Sequence, residues 1–175
     1  MLISLIGYMG SGKSHISKIL SDRLNFERID LDNTITEQNK MPVSEIFEKK
    51  GELYFRKQEK SILEELLNNK DNSILSLGGG TPVYYNNIHL INQKSVSIFL
   101  RAKVGTLTQR LLMQKEKRPL IAKFGDEELP EFIAKHLFER NPYYSQAHIT
   151  IDTDEKNDHE IANEIIAAIT RFPRP

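Results

Sequence analysis

The chain contains no cysteine, and its charges cancel, with 24 Lys and Arg against 24 Asp and Glu. Without cysteine there is no disulfide and no thiolate metal site, which fits a reducing compartment. Without net charge there is no long-range field to attract nucleic acid or an anionic membrane, so any group of arginines is to be read locally, as a site. No apolar run approaches the roughly 20 residues that span a bilayer. The apolar start Leu2–Ile6 is too short for a signal peptide and has no basic segment before it. These absences lead to the expectation of a cytoplasmic, monomeric protein, with residues 1–175 as one domain and with neither nucleic acid nor membrane as partner.

What is present alternates in a regular way. Short apolar runs at Leu2–Ile6, Glu27–Asp32, Ser73–Leu77, Val96–Leu100 and Ile149–Asp152 read as strands. Helical spacing marks Lys13–Leu24, Val43–Lys49, Glu52–Leu67, Val104–Met113, Glu131–Glu139 and His159–Thr170. Strands alternating with helices predict an α/β domain whose parallel sheet is covered on both faces, with ligands at the carboxyl ends of its strands. The segment from Gln114 through Arg118 and Pro119 to Glu128 is charged and breaks the alternation. From composition alone it reads as a solvated surface loop.

Between the first strand and the first helix stands Gly7-Tyr8-Met9-Gly10-Ser11-Gly12-Lys13-Ser14, a full Gly-x-x-x-x-Gly-Lys-Ser phosphate loop. Glycines let the main chain wrap with its N–H groups inward, and the helix start adds its partial positive charge. Lys13 would reach the β- and γ-phosphates and the Ser14 hydroxyl would meet Mg²⁺. The pattern arises by chance in about one chain of this length in two hundred. Its place between strand and helix makes chance a poor explanation here.

A phosphate loop alone does not name the acceptor. Asn69-Lys70-Asp71-Asn72 does not match the spacing of a guanine-specific site, and the chain is short for a motor ATPase, so a small-molecule kinase is favoured. Ile29-Asp30-Leu31-Asp32 would put two carboxylates on one side of a strand end, one towards metal and one towards an acceptor hydroxyl. A helix cap at Asp32, ahead of Asn33-Thr34, explains the same residues equally well. Gly78-Gly79-Gly80 after an apolar strand permits close approach of main chain to ligand, or a plain flexible turn. Arg56, Arg118 and Arg140 suit bidentate capture of carboxylate or phosphate. Arg56 and Glu59 could equally form an ordinary helix ion pair that also orients the guanidinium.

In combination, GYMGSGKS, DLD, EIFEKKGELYFRKQE, SLGGG, KRPL and ERNPYY occur in the order and spacing of one family, and the chain resembles the shikimate kinases from end to end. The resemblance implies a P-loop fold with a five-stranded parallel sheet in order 2-3-1-4-5, an acceptor-binding region near 32–61 and a lid near 112–126. It implies ATP and Mg²⁺ as cofactors and transfer of phosphate to the 3-hydroxyl of shikimate. Gly10, Ser11, Gly12, Lys13, Ser14 and His15 would hold the nucleotide, with Arg110 beside adenine, and Asp30 would join Ser14 at the metal. Asp32 would bind ring hydroxyls and orient or deprotonate the acceptor; Arg56 and Arg140 would clamp the carboxylate. Gly78, Gly79 and Gly80 would line the acceptor pocket, with Phe47 and Phe55 at its apolar border, and Arg118 would close over the phosphates from the lid. Two rivals stand beside it: a gluconate-kinase-like enzyme, and a nucleotide-binding module without catalysis.

Overall fold

A computed structural model describes residues 1–114, 119–122 and 124–172, and for residues 119 and 120 the main chain alone. Arg118 lies outside the described residues. Five parallel strands, β1 (Leu2–Ile6), β2 (Glu27–Asp30), β3 (Ser73–Ser76), β4 (Val96–Arg101) and β5 (Ile149–Asp152), form one sheet in the order β2-β3-β1-β4-β5, as expected. Eight helices are described: α1 (Lys13–Leu24), α2 (Leu31–Asn39), α3 (Val43–Asn69), α4 (Asn87–Lys94), α5 (Val104–Leu112), α6 (Pro119–Ala122), α7 (Leu129–Tyr144) and α8 (Asp158–Arg171). None of the described helices is long and apolar enough to cross a membrane.

Alternating side chains divide the core into two layers. Ile3 and Leu5 of β1, with Ile74, Ile98 and Leu100, pack against α1 through Ile16 and Leu20 and against α8 through Ile161 and Ile165. Leu2 and Ile6, with Leu75 and Phe99, face α3, α4, α5 and α7 on the other side. Burial on both faces is why β1, β3 and β4 read as unbroken apolar runs. The edge strands β2 and β5 are half exposed and carry charge, which discourages edge-to-edge pairing with other chains.

Two features depart from expectation. The second strand stops at Asp30, and Leu31 and Asp32 already belong to α2, a helix the sequence reading had not delimited. Asp30 is its cap, accepting from the Asn33 N–H at 3.2 Å. The capping alternative was therefore right in kind but off by two residues: Asp30, not Asp32, does it. Secondly, α4, the last turn of α7 and the short α6 were missed; α6 lies in the segment expected to be a solvated loop, and its Ile121 is fully buried. Pro142 sits in the last turn of α7, where one lost main-chain bond is tolerated near the helix end.

The predicted break between 49 and 52 is real. Gly51 holds φ 81° and ψ 166° inside α3, a conformation that only glycine adopts readily. A Cβ there would touch nothing within 4 Å, so space is not the obstacle to substitution. Gly51→Ala is expected to destabilise the fold by about 1–3 kcal/mol through backbone strain alone, measured by urea unfolding.

Candidate functional site

Register at the carboxyl end of the sheet assembles the site. Leu5 of β1 pairs with Ser76 of β3, and Ser76 pairs with Asp30 of β2. The phosphate loop, the glycine triplet and the acidic pair, far apart in sequence, thus leave the sheet side by side. Gly10, Ser11, Gly12, Lys13, Ser14 and His15 line one cleft of about 480 Å³ together with Asp30, Asp32, Gly78, Gly79 and Arg110, while Gly80, Arg56 and Arg140 stand outside its lining.

At the phosphate end, Gly12 caps α1 with φ 98° and no acid occupies the first turn. Gly12, Lys13 and Ser14 line the cleft, so the positive end of α1 faces it, as an anion site requires. Lys13 Nζ donates to the carbonyls of Gly7 at 2.7 Å and Tyr8 at 2.9 Å, which holds it across the loop. The Ser11 hydroxyl is buried with no hydrogen-bond partner among the described residues. Arg110 donates to the carbonyls of Gly10 and Thr153, each at 3.3 Å, and so joins α5 to the loop. His15 is largely exposed, 3.8 Å from an Asp158 carboxylate oxygen.

At the other end each glycine of the triplet makes room for one charged side chain. A Cβ on Gly78 would stand 3.0 Å from Asp32 Oδ1, one on Gly79 would stand 3.1 Å from Arg140 Nη1, and one on Gly80 would stand 2.6 Å from Arg56 Nη2. Helices α2, α7 and α3 thereby deliver an acid and two guanidinium groups to one strip of main chain. Arg56 Nη1 donates to Glu59 Oε2 at 2.8 Å, and Glu59 is 1% exposed. The other Glu59 oxygen accepts from the Thr81 hydroxyl at 2.6 Å. The helix ion pair expected between Arg56 and Glu59 is present. Phe47 and Phe55 stack on one another at 4.6 Å and flank Arg56.

The family model for shikimate kinase matches residues 9–170. The chain belongs to the shikimate kinase family. It is 49% identical over 165 residues to the shikimate kinase of Flavobacterium psychrophilum, covering 93% of this chain and 95% of that protein. The solved shikimate kinase of Bacteroides thetaiotaomicron superposes with a TM-score of 0.91 at 32% identity, covering 97% and 98% of the two chains. That of Acinetobacter baumannii, solved in complex with shikimate, gives 0.87 at 30% identity over 97% and 92%.

Seen as a shikimate kinase family site, the pocket contains groups that the sequence motifs did not single out. Tyr144, four residues after Arg140 on α7, is fully buried and donates to the Gly79 carbonyl at 2.5 Å. Its helical spacing from Arg140 was the available signal. Thr81 follows the triplet directly, and only the pairing with buried Glu59 reveals its use. Tyr8 lies beneath Arg140, 5.6 Å from guanidinium carbon to ring centre, with its hydroxyl 3.1 Å from His136 Nδ1.

Burial pushes the Asp32 carboxyl up to about 6; the Asp30 and Glu59 carboxylates add to the effect, and Lys13 and Arg56 oppose it. Between the unfolded value near 3.8 and about 6 the folded chain binds more protons than the unfolded one, so this group weakens the fold as pH rises. Asp32→Asn without metal is expected to be more stable than the parent by about 1–3 kcal/mol at pH 8. That advantage should vanish below pH 4, which urea unfolding at the two pH values checks.

Proposed function

We propose that the cleft joins ATP at the phosphate loop to shikimate at the glycine triplet, and that phosphate passes directly from one to the other. The convergence of Asp32, Arg140 and Arg56 on Gly78, Gly79 and Gly80 carries this reading, because it supplies one hydroxyl-binding acid and two carboxylate-binding cations within reach of the phosphate loop. Family membership gives the reaction class, an ATP-dependent kinase acting on shikimate.

Phosphoryl transfer has a loose transition state, so the protein contributes mainly position and charge. Lys13 and the N–H groups at the start of α1 hold the phosphates. Arg56 and Arg140 take the shikimate carboxylate, which fixes the ring and turns the 3-hydroxyl towards Asp32. With a pKa near 6, Asp32 is ionised at neutral pH and accepts that hydroxyl's hydrogen bond. Arg110 flanks the nucleotide, and Arg118 of the lid balances charge on the transferred group. Phe47 and Phe55 close the apolar side of the ring site.

Among the described residues no three His, Cys, Asp or Glu are grouped to hold a metal. Mg²⁺ therefore suits the cleft only as an ion bound largely by phosphate and water oxygens, with Ser14 and Asp30 as its protein partners. When bound, it would neutralise phosphate charge. All of these groups come from one chain, which supports action as a monomer, and the even charge balance supports a cytoplasmic enzyme of a small metabolite.

A coupled ADP-release assay over shikimate, gluconate and related hydroxy acids tests the reading. Release with shikimate is expected; release with gluconate alone, or with no acceptor in the panel, would contradict it. Arg140→Ala should raise the shikimate KM about tenfold or more with a smaller change in kcat. Asp32→Asn should lower kcat by about 10²- to 10⁴-fold and leave the ATP KM within about twofold.

A further inference from the structure

Tyr84 belongs to none of the motifs above. It lies four residues beyond Gly80, on the turn from the glycine triplet into α4. The next two residues, Tyr85 and Asn86, hold left-handed φ values of 51° and 60°. That conformation is unfavourable for a bulky side chain such as tyrosine and persists only where surrounding contacts enforce it.

The contacts of Tyr84 are specific. Its ring lies over Arg56, 4.1 Å from guanidinium carbon to ring centre, nearer than Phe55 at 5.1 Å or Phe47 at 5.9 Å. Its hydroxyl donates to Glu52 Oε1 at 2.9 Å, and the same oxygen lies 3.4 Å from Arg56 Nε. Burial and the bond to Glu52 push the Tyr84 hydroxyl above its ordinary pKa, so it remains a donor. Ring and hydroxyl therefore grip two residues one helical turn apart on α3, from the far side of the glycine strip.

Arg56 needs such a grip. The bonds from Nη1 to Glu59 and from Nε to the exposed Glu52 hold two points of the guanidinium but leave its plane free to tilt about the line between them. A carboxylate binds arginine well only when the two planes align. We propose that Tyr84 is a positioning residue that holds the Arg56 plane with Nη2 towards Gly80, and that through Glu52 it latches the glycine turn to α3. The inference rests on the reading of Arg56 as a partner of the substrate carboxylate. Tyr84 acts through Arg56 and meets no reacting atom.

The test compares Tyr84→Ala and Tyr84→Phe with the parent, using shikimate and its neutral carboxamide as acceptors. Tyr84→Ala should raise the shikimate KM about fivefold to twentyfold, with kcat and the ATP KM within about twofold. Tyr84→Phe keeps the ring over Arg56 and should recover more than half of that loss. With the carboxamide, which gives Arg56 no charge to meet, kcat/KM should be the same in all three proteins within about twofold. An unchanged shikimate KM in Tyr84→Ala, no recovery in Tyr84→Phe, or an equal loss with the carboxamide would overturn the proposal. Failure of the parent to phosphorylate shikimate would instead overturn the functional reading beneath it.

Discussion

Gly78, Gly79 and Gly80 leave a strip of bare main chain at the carboxyl end of β3, and the proposed acceptor half of the cleft uses the space their missing side chains provide. Asp32, Arg140 and Arg56 reach that strip from three separate helices, and any Cβ on it would stand 2.6 to 3.1 Å from one of their charged atoms. The strip sits beside the phosphate loop because β3 pairs in parallel with β1, with Leu5 opposite Ser76. A parallel sheet puts all its strand exits at one edge, and the loops from adjacent strands become the two halves of one site. Donor and acceptor ends are thus placed by strand register, and the glycines then allow the side chains to close in.

Charges of both signs are crowded here, and their arrangement sets what each can do. Glu59 is buried and would be costly if unpaired; Arg56 on one oxygen and the Thr81 hydroxyl on the other satisfy it. That pair consumes one edge of the guanidinium and leaves another for a ligand. Lys13 and Arg56 offset only part of the cost at Asp32, so burial and the neighbouring Asp30 and Glu59 raise its pKa towards the operating range of a proton acceptor. The fold carries an electrostatic cost at Asp32 that a well-satisfied core residue would not, and such local cost is common where chemistry is done.

The alternation of strands and helices and the phosphate loop were legible in the sequence because each depends on a local pattern: strand then glycine turn then helix, or an apolar run of fixed length; the sheet order came only with the resemblance to the family. Gly51 was legible for the same reason, as a gap in helical spacing. The end of β2 was not. Ile29-Asp30-Leu31-Asp32 fits both an alternating strand and a capped helix start, and only packing of α2 against α3 decides that Leu31 turns inward as a helical residue. The bonds of Thr81 and Tyr84 were also invisible, since each depends on a partner 22 to 32 positions away, and Tyr144 was signalled only by its spacing from Arg140. Glycines in a row signal flexibility or closeness without saying close to what; here three charged side chains answer that.

Gly80→Ala addresses the central claim most directly. Gly80 does not hold a left-handed φ, and the atoms its Cβ would meet are the far end of a flexible arginine, so the fold can absorb the change while Arg56 is driven from its place. The account predicts a shikimate KM raised about tenfold or more, the ATP KM within about twofold, and an unfolding free energy lowered by up to about 3–5 kcal/mol as buried Glu59 loses its partner. A shikimate KM within twofold of the parent would contradict it.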